Sequence, residues 1–127
     1  MRGEKFEIEF FLKGSVQRIY DYFVDPNLMK LWLCKNVVAN DRAYTLSFGA
    51  DEDIQLHLKQ YRAEHFIRYK WVDYKDNQSL EFKFHTDEIS NELSLIIYDY
   101  ADAPEEIEEE KMFWRKAINQ LHNIIGI

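Results

Sequence analysis

The order of the predicted elements constrains this chain most, because one long amphipathic helix follows a nearly unbroken series of strands. A strand at residues 5–12 comes first, two short helices follow, about six strands come next, and a helix over residues 102–125 ends the series. A helix in that place can bury its apolar stripe on the face of a curved antiparallel sheet. The sequence therefore predicts an α+β fold, β-α-α-β-β-β-β-β-β-α, whose sheet of about seven strands wraps around the C-terminal helix.

The strand predictions rest on apolar residues that alternate with polar ones, which is typical of half-buried strands. Phe6, Ile8 and Phe10 alternate with charged residues in the first strand. The later strands repeat this pattern in four sets: Ile54, Leu56 and Leu58; Ile67, Tyr69 and Trp71; Leu80, Phe82 and Phe84; Leu93, Leu95 and Ile97. Polar turns such as Asp76-Asn77 separate the strands, and strands joined so closely are antiparallel neighbours.

The helices are predicted from spacing and from their end residues. Ser15 and Asp25 are expected to cap two helices of two to three turns each, with Pro26 at the first helical position of the second. For the last helix, Asp102 followed by Glu105 predicts a capping box. Its apolar stripe and the glycine expected at its C-terminal cap are Ile107, Trp114, Ile118, Leu121, Ile125 and Gly126.

Length and charge limit the classes of function. A chain of 127 residues forms one domain, assigned here to residues 1–127. The net charge of −7 argues against nucleic acid and against anionic membrane surfaces, both of which bind clustered Lys and Arg. The longest apolar run, residues 93–98, is too short to span a bilayer, and the start lacks the apolar stretch of a signal peptide. We therefore expect a cytoplasmic protein without integral membrane association.

Several short segments, in a fixed order, resemble one family. These segments are KFEIEF at 5–10, Ser15 to Tyr20, Pro26 with Leu28, Leu31-Trp32-Leu33, FIRYKW at 66–71, EFKF at 81–84, 95–102 and 114–121. With these segments taken together, the chain resembles, over nearly its whole length, a START-like domain of the Bet v 1-type helix-grip (SRPBCC) superfamily. More narrowly, it resembles a group of small single-domain START-like proteins found mostly in Bacteroidetes, and the resemblance implies a relation to the Hsp90-activator homology domains. The resemblance implies a helix-grip fold, in a superfamily that holds lipid carriers, allergens, cyclases and co-chaperones.

The usual signals of catalysis and metal binding are weak. The four histidines do not cluster, and none has the spacing of a metal site. Cys34 is alone, so it forms no internal disulfide, and we interpret it as a half-buried inert thiol. The acidic run at 105–110 suits a solvated first helical turn. We therefore predict no catalytic residue, no metal and no cofactor. Alternation places Arg68 on the outer face of its strand.

The aromatic share of 16% makes the interior the main candidate for function. Rings from several elements either line a pocket between sheet and helix or pack as an ordinary dense core, and the sequence leaves both open. If a pocket exists, the residues predicted to line it are Trp32, Phe48, Leu56, Tyr69, Trp71, Phe82, Phe84, Leu95, Trp114 and Ile118.

Three functions compete. The first is a non-enzymatic binder of a small hydrophobic or amphipathic, lipid-like ligand. The second is a protein-interaction or co-chaperone-like module with a filled core, and the third is a cyclase-like enzyme with an acid or base inside the pocket. A cavity of about 300 Å³ or more would favour the first or the third. A homodimer is also plausible, because Tyr61, Tyr74 and Tyr98 are candidate exposed rings.

Overall fold

The structure is a computed structural model that describes residues 3–49, 52–72 and 78–126. Its elements are β1 (Glu4–Leu12), α1 (Val16–Asp21), α2 (Pro26–Met29), β2 (Asn36–Asn40), β3 (Ala43–Ser47), β4 (Asp53–Arg62), β5 (Phe66–Trp71), β6 (Ser79–Thr86), β7 (Leu93–Ala101), a single 3-10 turn (Pro104–Glu106) and α3 (Ile107–Ile125). This order confirms the predicted α+β arrangement. The predicted turn at Asp76-Asn77, like Tyr74, lies outside the described residues.

The described strands form one antiparallel sheet of seven, in the order β1-β7-β6-β5-β4-β3-β2. Consecutive strands from β2 to β7 are neighbours, as their short connections predict. β1 joins the far edge by pairing along its whole length with β7, from Glu4 opposite Ala101 to Leu12 opposite Leu93. A register shift between Leu58 and Gln60 interrupts the ladder of β4 with β5, and such bulges bend a strand and increase its twist. α1, α2 and α3 cover the buried face.

The two short helices are shorter than predicted, although both caps are placed correctly. Asp25 caps α2, and its side chain accepts a hydrogen bond from the backbone N–H of Asn27 at 2.9 Å. Ser15 holds the N-cap position of α1, but its side chain makes no capping bond. Because a residue before proline avoids the helical region, Asp25 is extended, and α1 and α2 remain separate.

The prediction that the last helix begins at residue 102 is wrong, and so is its capping box. Ala103 is extended, with φ −146° and ψ 156°, because it precedes Pro104. The chain then makes the 3-10 turn, and the α-helix begins at Ile107 with Glu106 at the N-cap and no side-chain capping bond. The other end is confirmed, since Gly126 is left-handed at φ 68° and its N–H donates to the carbonyl of His122.

The loop between α1 and α2 is tied to the protein interior by side-chain donors. Trp32 Nε1 donates to the carbonyl oxygen of residue 22 at 2.8 Å. The hydroxyls of Tyr69 and Tyr44 donate to the carbonyls of residues 23 and 24, at 2.6 and 2.8 Å. Three consecutive carbonyls beyond the end of α1 therefore each accept a side-chain hydrogen bond, and the bond to residue 23 is buried, where an unpaired carbonyl would be costly.

The rings beneath this loop pack densely. Phe23 is fully buried, and its ring centroid lies 4.8 Å from that of Trp32, 4.8 Å from Phe82 and 5.2 Å from Phe84. Such tilted and edge-on contacts are the favoured aromatic geometries. We call this part of the interior the filled region; it comprises Ile19, Tyr20, Phe23, Trp32, Tyr44, Tyr69, Phe82 and Phe84, all of them buried.

Candidate functional site

A cavity lies between the sheet and α3. Its volume is about 360 Å³, and it is partly open to solvent. The lining residues are Leu33, Leu46, Phe48, Glu52, Ile54, Trp71, Leu80, Asp99, Glu109, Glu110, Phe113 and Trp114. We call this the open region. It combines an apolar and aromatic wall with four carboxyl groups, as expected of a site for a molecule with both apolar and polar parts.

The geometry of strand and helix explains which residues meet at the cavity. Trp71 and Leu80 point inward from β5 and β6, in phase with the buried residues of those strands. On α3, Glu110 is followed after three and four residues by Phe113 and Trp114, which places all three side chains on one side of the helix. The centroid of the Phe113 ring lies 5.8 Å from that of Phe48, so the two rings are in edge contact, and both belong to the cavity wall.

Trp114 separates the open region from the filled region. Its ring lies 5.7 Å from Phe82 on one side and 5.1 Å from Phe113 on the other, and only 2% of the residue is exposed. Its Nε1 donates to Oδ2 of Asp99 at 3.2 Å. The Trp114 indole is therefore held in place by a carboxyl group from β7, with the cavity beside it. A buried indole N–H with a defined acceptor is the usual arrangement for tryptophan.

The structure brings three of the ten predicted cavity residues together at the cavity, namely Phe48, Trp71 and Trp114. The other seven are buried in the core around it: Trp32, Leu56, Tyr69, Phe82, Phe84, Leu95 and Ile118. Ligand contact by any of the ten stays a prediction. The physical reason for the division is that alternation identifies the inward face of each strand, whereas the cavity occupies only one part of that face.

The carboxyl groups were missed by the sequence reasoning. Asp99 is in phase with Leu95 and Ile97 along β7, so period-two alternation points it inward, and it is only 2% exposed. That signal is visible in the sequence. Glu109 and Glu110 were interpreted only as part of a solvated helical turn. The turn is largely exposed, but these two residues also form one wall of the cavity.

The cavity wall is strongly asymmetric in charge. Four of its residues carry carboxyl groups, and none of the described lining residues is basic. The Lys35 ammonium lies over Gly49, next to Phe48, with its Nζ 3.0 Å from where a Cβ on that glycine would stand. Lys35 is itself outside the lining.

Burial raises the pKa of several titratable groups outside the cavity lining. Burial raises the pKa of Tyr69 well above its ordinary value and raises the pKa of Tyr20 to about 12, and both belong to the filled region. Burial also raises the pKa of the half-buried Cys34 thiol, which disfavours the reactive thiolate. All four histidines are exposed. Within the described ranges, no group of three or more His, Cys, Asp or Glu side chains is arranged to hold a metal ion.

Arg68 lies on the outer face of β5, as alternation predicts. Its side chain is 33% exposed and pairs with Glu81 on β6 at 3.4 Å. It also donates to Oε1 of Gln60 at 2.6 Å. Arg68 therefore belongs to a network on the outer face, and its guanidinium is not part of the cavity lining.

Comparison with known proteins gives a consistent family and fold. A family model described as a START-like superfamily domain matches residues 1–127. No curated protein matches the chain. Among solved structures, BfR322 from Bacteroides fragilis is 25% identical, with a TM-score of 0.68, over 100% of this chain and 94% of that protein.

Two further structures share the fold at lower identity. The Aha1 dimer of Colwellia psychrerythraea is 10% identical, with a TM-score of 0.77, over 92% of each chain. DynU16, a protein of the dynemicin biosynthetic locus, is 11% identical, with a TM-score of 0.79, over 98% of this chain and 48% of DynU16. At these identities the likeness concerns the fold. Among the described helices, none has the length and apolarity needed to cross a bilayer.

Proposed function

We propose, from the premise that this chain belongs to the START-like superfamily, that it binds a small hydrophobic or amphipathic molecule without catalysing a reaction on it. The ligand would lie between the sheet and α3. The observation that carries this proposal is the cavity of about 360 Å³ beside Trp114. Its volume falls within the range of roughly 300–1,000 Å³ that small-molecule sites occupy.

The arrangement of the cavity wall supports a ligand with a large apolar part. Phe48, Trp71, Phe113 and Trp114 supply rings, and Leu46, Ile54 and Leu80 supply aliphatic surface. Burying apolar ligand surface against such a wall contributes roughly 25 cal/mol per Å², so an apolar body would dominate affinity. The carboxyl groups would then orient a polar end.

The two alternative functions make different demands on the same cavity. A co-chaperone-like interaction module needs no internal space, and the cavity is therefore the observation that weighs against it. A cyclase-like enzyme needs an acid or base inside, and Asp99 is the buried carboxyl group that could serve. We favour binding without catalysis because the cavity offers one deeply buried carboxyl group held by Trp114, and its other lining carboxylates come from partly or fully exposed residues.

Titration with the neutral dye N-phenyl-1-naphthylamine tests the proposal directly. The dye should bind the protein with saturable enhancement of fluorescence. An Ile54→Trp variant should lose that binding, because the new ring occupies the cavity, whereas Ile89→Trp adds the same ring at a residue that is 97% exposed and should bind normally. No binding to the wild type, or equal binding by Ile54→Trp, would overturn the proposal. Native mass spectrometry of protein from its own host would then identify the natural ligand.

We also propose a cytoplasmic location and a homodimer. Tyr61 is 51% exposed, and a pairing surface would cover it. The Colwellia Aha1 protein, which shares the fold, forms a dimer in solution. Sedimentation velocity measures the oligomeric state, and a monomer at all concentrations would exclude the dimer. Cell fractionation tests the location.

A further inference from the structure

We infer that Trp114 limits the length of the molecule that the open region accepts. The ligand is then a single apolar chain of about a dozen carbon atoms, or a ring system of similar volume, and not a lipid with two long chains. This inference rests on the proposed binding function and adds the size class of the ligand. It is carried by the position of Trp114, which is the lining residue of α3 that lies furthest toward the C-terminal end of the helix.

The first step concerns where the cavity ends along α3. The lining residues that come from this helix are Glu109, Glu110, Phe113 and Trp114. Further along the helix, three residues are buried but do not line the cavity, namely Ala117, Ile118 and Leu121. The open space between helix and sheet therefore stops at the Trp114 indole, and the protein interior is packed beyond it.

The second step concerns how firmly this end is closed. Only 2% of Trp114 is exposed, and its Nε1 donates to Oδ2 of Asp99 at 3.2 Å. The centroid of its ring lies 5.7 Å from that of Phe82, a buried residue outside the cavity lining, and the Phe82 ring lies 4.8 Å from that of Phe23. Moving the indole aside would break the hydrogen bond and disturb close-packed rings. Trp114 therefore forms a fixed end wall.

The side walls offer no further length. Leu46, Trp71 and Leu80 line the cavity from β3, β5 and β6, and the sheet itself lies behind their side chains. The other end of the cavity is open, since Phe113 is 36% exposed and Glu52 is an exposed residue of the lining. A chain that is longer than the cavity therefore extends into solvent at this end, where added methylenes gain little affinity.

The volume of the cavity sets the expected length. In a liquid, a group of the size of a water molecule or a methylene occupies about 30 Å³. The cavity of about 360 Å³ therefore corresponds to a chain of about a dozen carbon atoms. A lipid with two long chains exceeds this volume several-fold.

Straight-chain 1-alkanols of six to fourteen carbon atoms test the inference, because they differ in length and share one uncharged head group. Affinity is measured by displacement of bound N-phenyl-1-naphthylamine. Each added methylene should raise the affinity by about threefold to fourfold while it still reaches buried apolar surface. We expect this rise to stop at about a dozen carbon atoms, and we call that chain length the break point.

Smaller side chains at residue 114 should move the break point to longer alkanols. Trp114→Leu should move it by about two carbon atoms and Trp114→Phe by about one, since the substitutions add roughly that much volume to the cavity. Trp114→Leu removes a buried ring together with its hydrogen bond, so it destabilises the fold more. Trp114→Phe keeps a ring in place and carries the test if the leucine variant does not fold.

Two control variants separate chain length from stability and from general affinity. Trp32→Phe makes the same substitution in the filled region, at a residue that is 5% exposed and outside the cavity lining, and it should leave the break point unchanged. Phe113→Leu removes a ring at the open end of the cavity. It should lower the affinity for all chain lengths to a similar degree without moving the break point.

The outcomes distinguish this inference from the function on which it rests. If the dye binds but affinity rises without a break point, or if both variants at residue 114 keep the wild-type break point, the binding function stands and the role of Trp114 is excluded. If Trp32→Phe moves the break point as far as Trp114→Phe does, the length limit reflects general packing and the assignment to Trp114 is overturned. If neither the dye nor any alkanol binds, both the function and the inference fail.

Discussion

The filled region and the open region both contain aromatic and aliphatic side chains, but they differ in how the space between those side chains is occupied. In the filled region, Phe23 fits among three other rings, and the loop above it is fixed by hydrogen bonds from Trp32, Tyr44 and Tyr69. In the open region, Phe48 and Phe113 contact each other with ring centroids 5.8 Å apart, and both line a cavity of about 360 Å³. Aromatic content therefore does not decide between core and cavity.

The covering elements account for the difference. The two short helices and the loop between them cover the filled region, and their side chains pack on the sheet. The first turns of α3 and the residues after β3 lie over the open region, and a cavity remains beneath them. The comparison implies that stability resides chiefly in the filled region and that ligand capacity resides in the open one.

The largest expected effect comes from removing matched rings in the two regions. Phe23→Ala should cost about 3–5 kcal/mol of unfolding free energy, because a fully buried ring leaves a void among fixed neighbours. Phe113 is 36% exposed beside the cavity, and Phe113→Ala should cost only about 1 kcal/mol. Urea denaturation measures both. Equal costs would show that the two regions are equally well packed and would break the comparison.

The hydroxyl of Tyr69 should matter next. Tyr69→Phe leaves the carbonyl of Phe23 without its 2.6 Å donor in a fully buried place, at an expected cost of about 1–3 kcal/mol. Tyr61 is 51% exposed, so Tyr61→Phe is a matched control with an expected change below about 0.5 kcal/mol. A Tyr69→Phe protein as stable as the wild type would mean that the loop does not depend on this bond.

A larger side chain should destabilise the protein when it is placed in the packed core but not when it is placed in the cavity wall. Ile67 is fully buried and outside the cavity lining, so Ile67→Phe should cost about 1–3 kcal/mol through overpacking. Ile54 lines the cavity, and Ile54→Phe should change stability by less than about 0.5 kcal/mol because the ring can enter existing space. Thermal unfolding compares the two variants. A similar loss in both would indicate that the cavity cannot accept a ring.

The last expected effect is a loss of folding stability through Tyr20, which is absent at neutral pH and appears only at alkaline pH. The pKa of Tyr20 is raised by burial to about 12, whereas an unfolded tyrosine has a pKa of about 10. Between these values the unfolded chain loses the proton and the folded protein keeps it, so stability falls as pH rises from about 10 to about 12. Below pH 10 both states are protonated, and Tyr20 contributes no pH dependence.

Variants identify the source of this alkaline loss. Tyr20→Phe should reduce the slope of unfolding free energy against pH in that window, because it removes the group whose pKa burial raises. Denaturant titrations at pH 9, 10 and 11 suffice. An unchanged slope in Tyr20→Phe would exclude this residue as a source.

The fold could be predicted from the sequence because the patterns that indicate strands and helices are local and repeated. Alternation in β4 to β7 identified inward residues such as Tyr69 and Leu95, and Gly126 marked the end of α3. The start of α3 was predicted wrongly although its determinant, Pro104, is visible in the chain. The capping pattern and the constraint of proline on the preceding residue favour different starting points, and in the structure the proline decides.

The site was only partly accessible from sequence. Period-two alternation could have placed Asp99 in the interior, but it could not tell which inward rings meet a neighbour and which face empty space. That distinction depends on distances between elements far apart in the chain, such as Phe48 after β3 and Phe113 on α3.

The sequence by itself determined the order of the strands and helices, the buried face of each, and the acidic balance of the chain. The tertiary structure alone decided that the short helices occupy one part of the sheet face completely while α3 leaves a cavity over another. The reason is physical. Patterns of polarity determine which side of an element is buried. A cavity depends on how closely the covering elements approach the sheet, and many residues that are far apart in the sequence contribute to that distance.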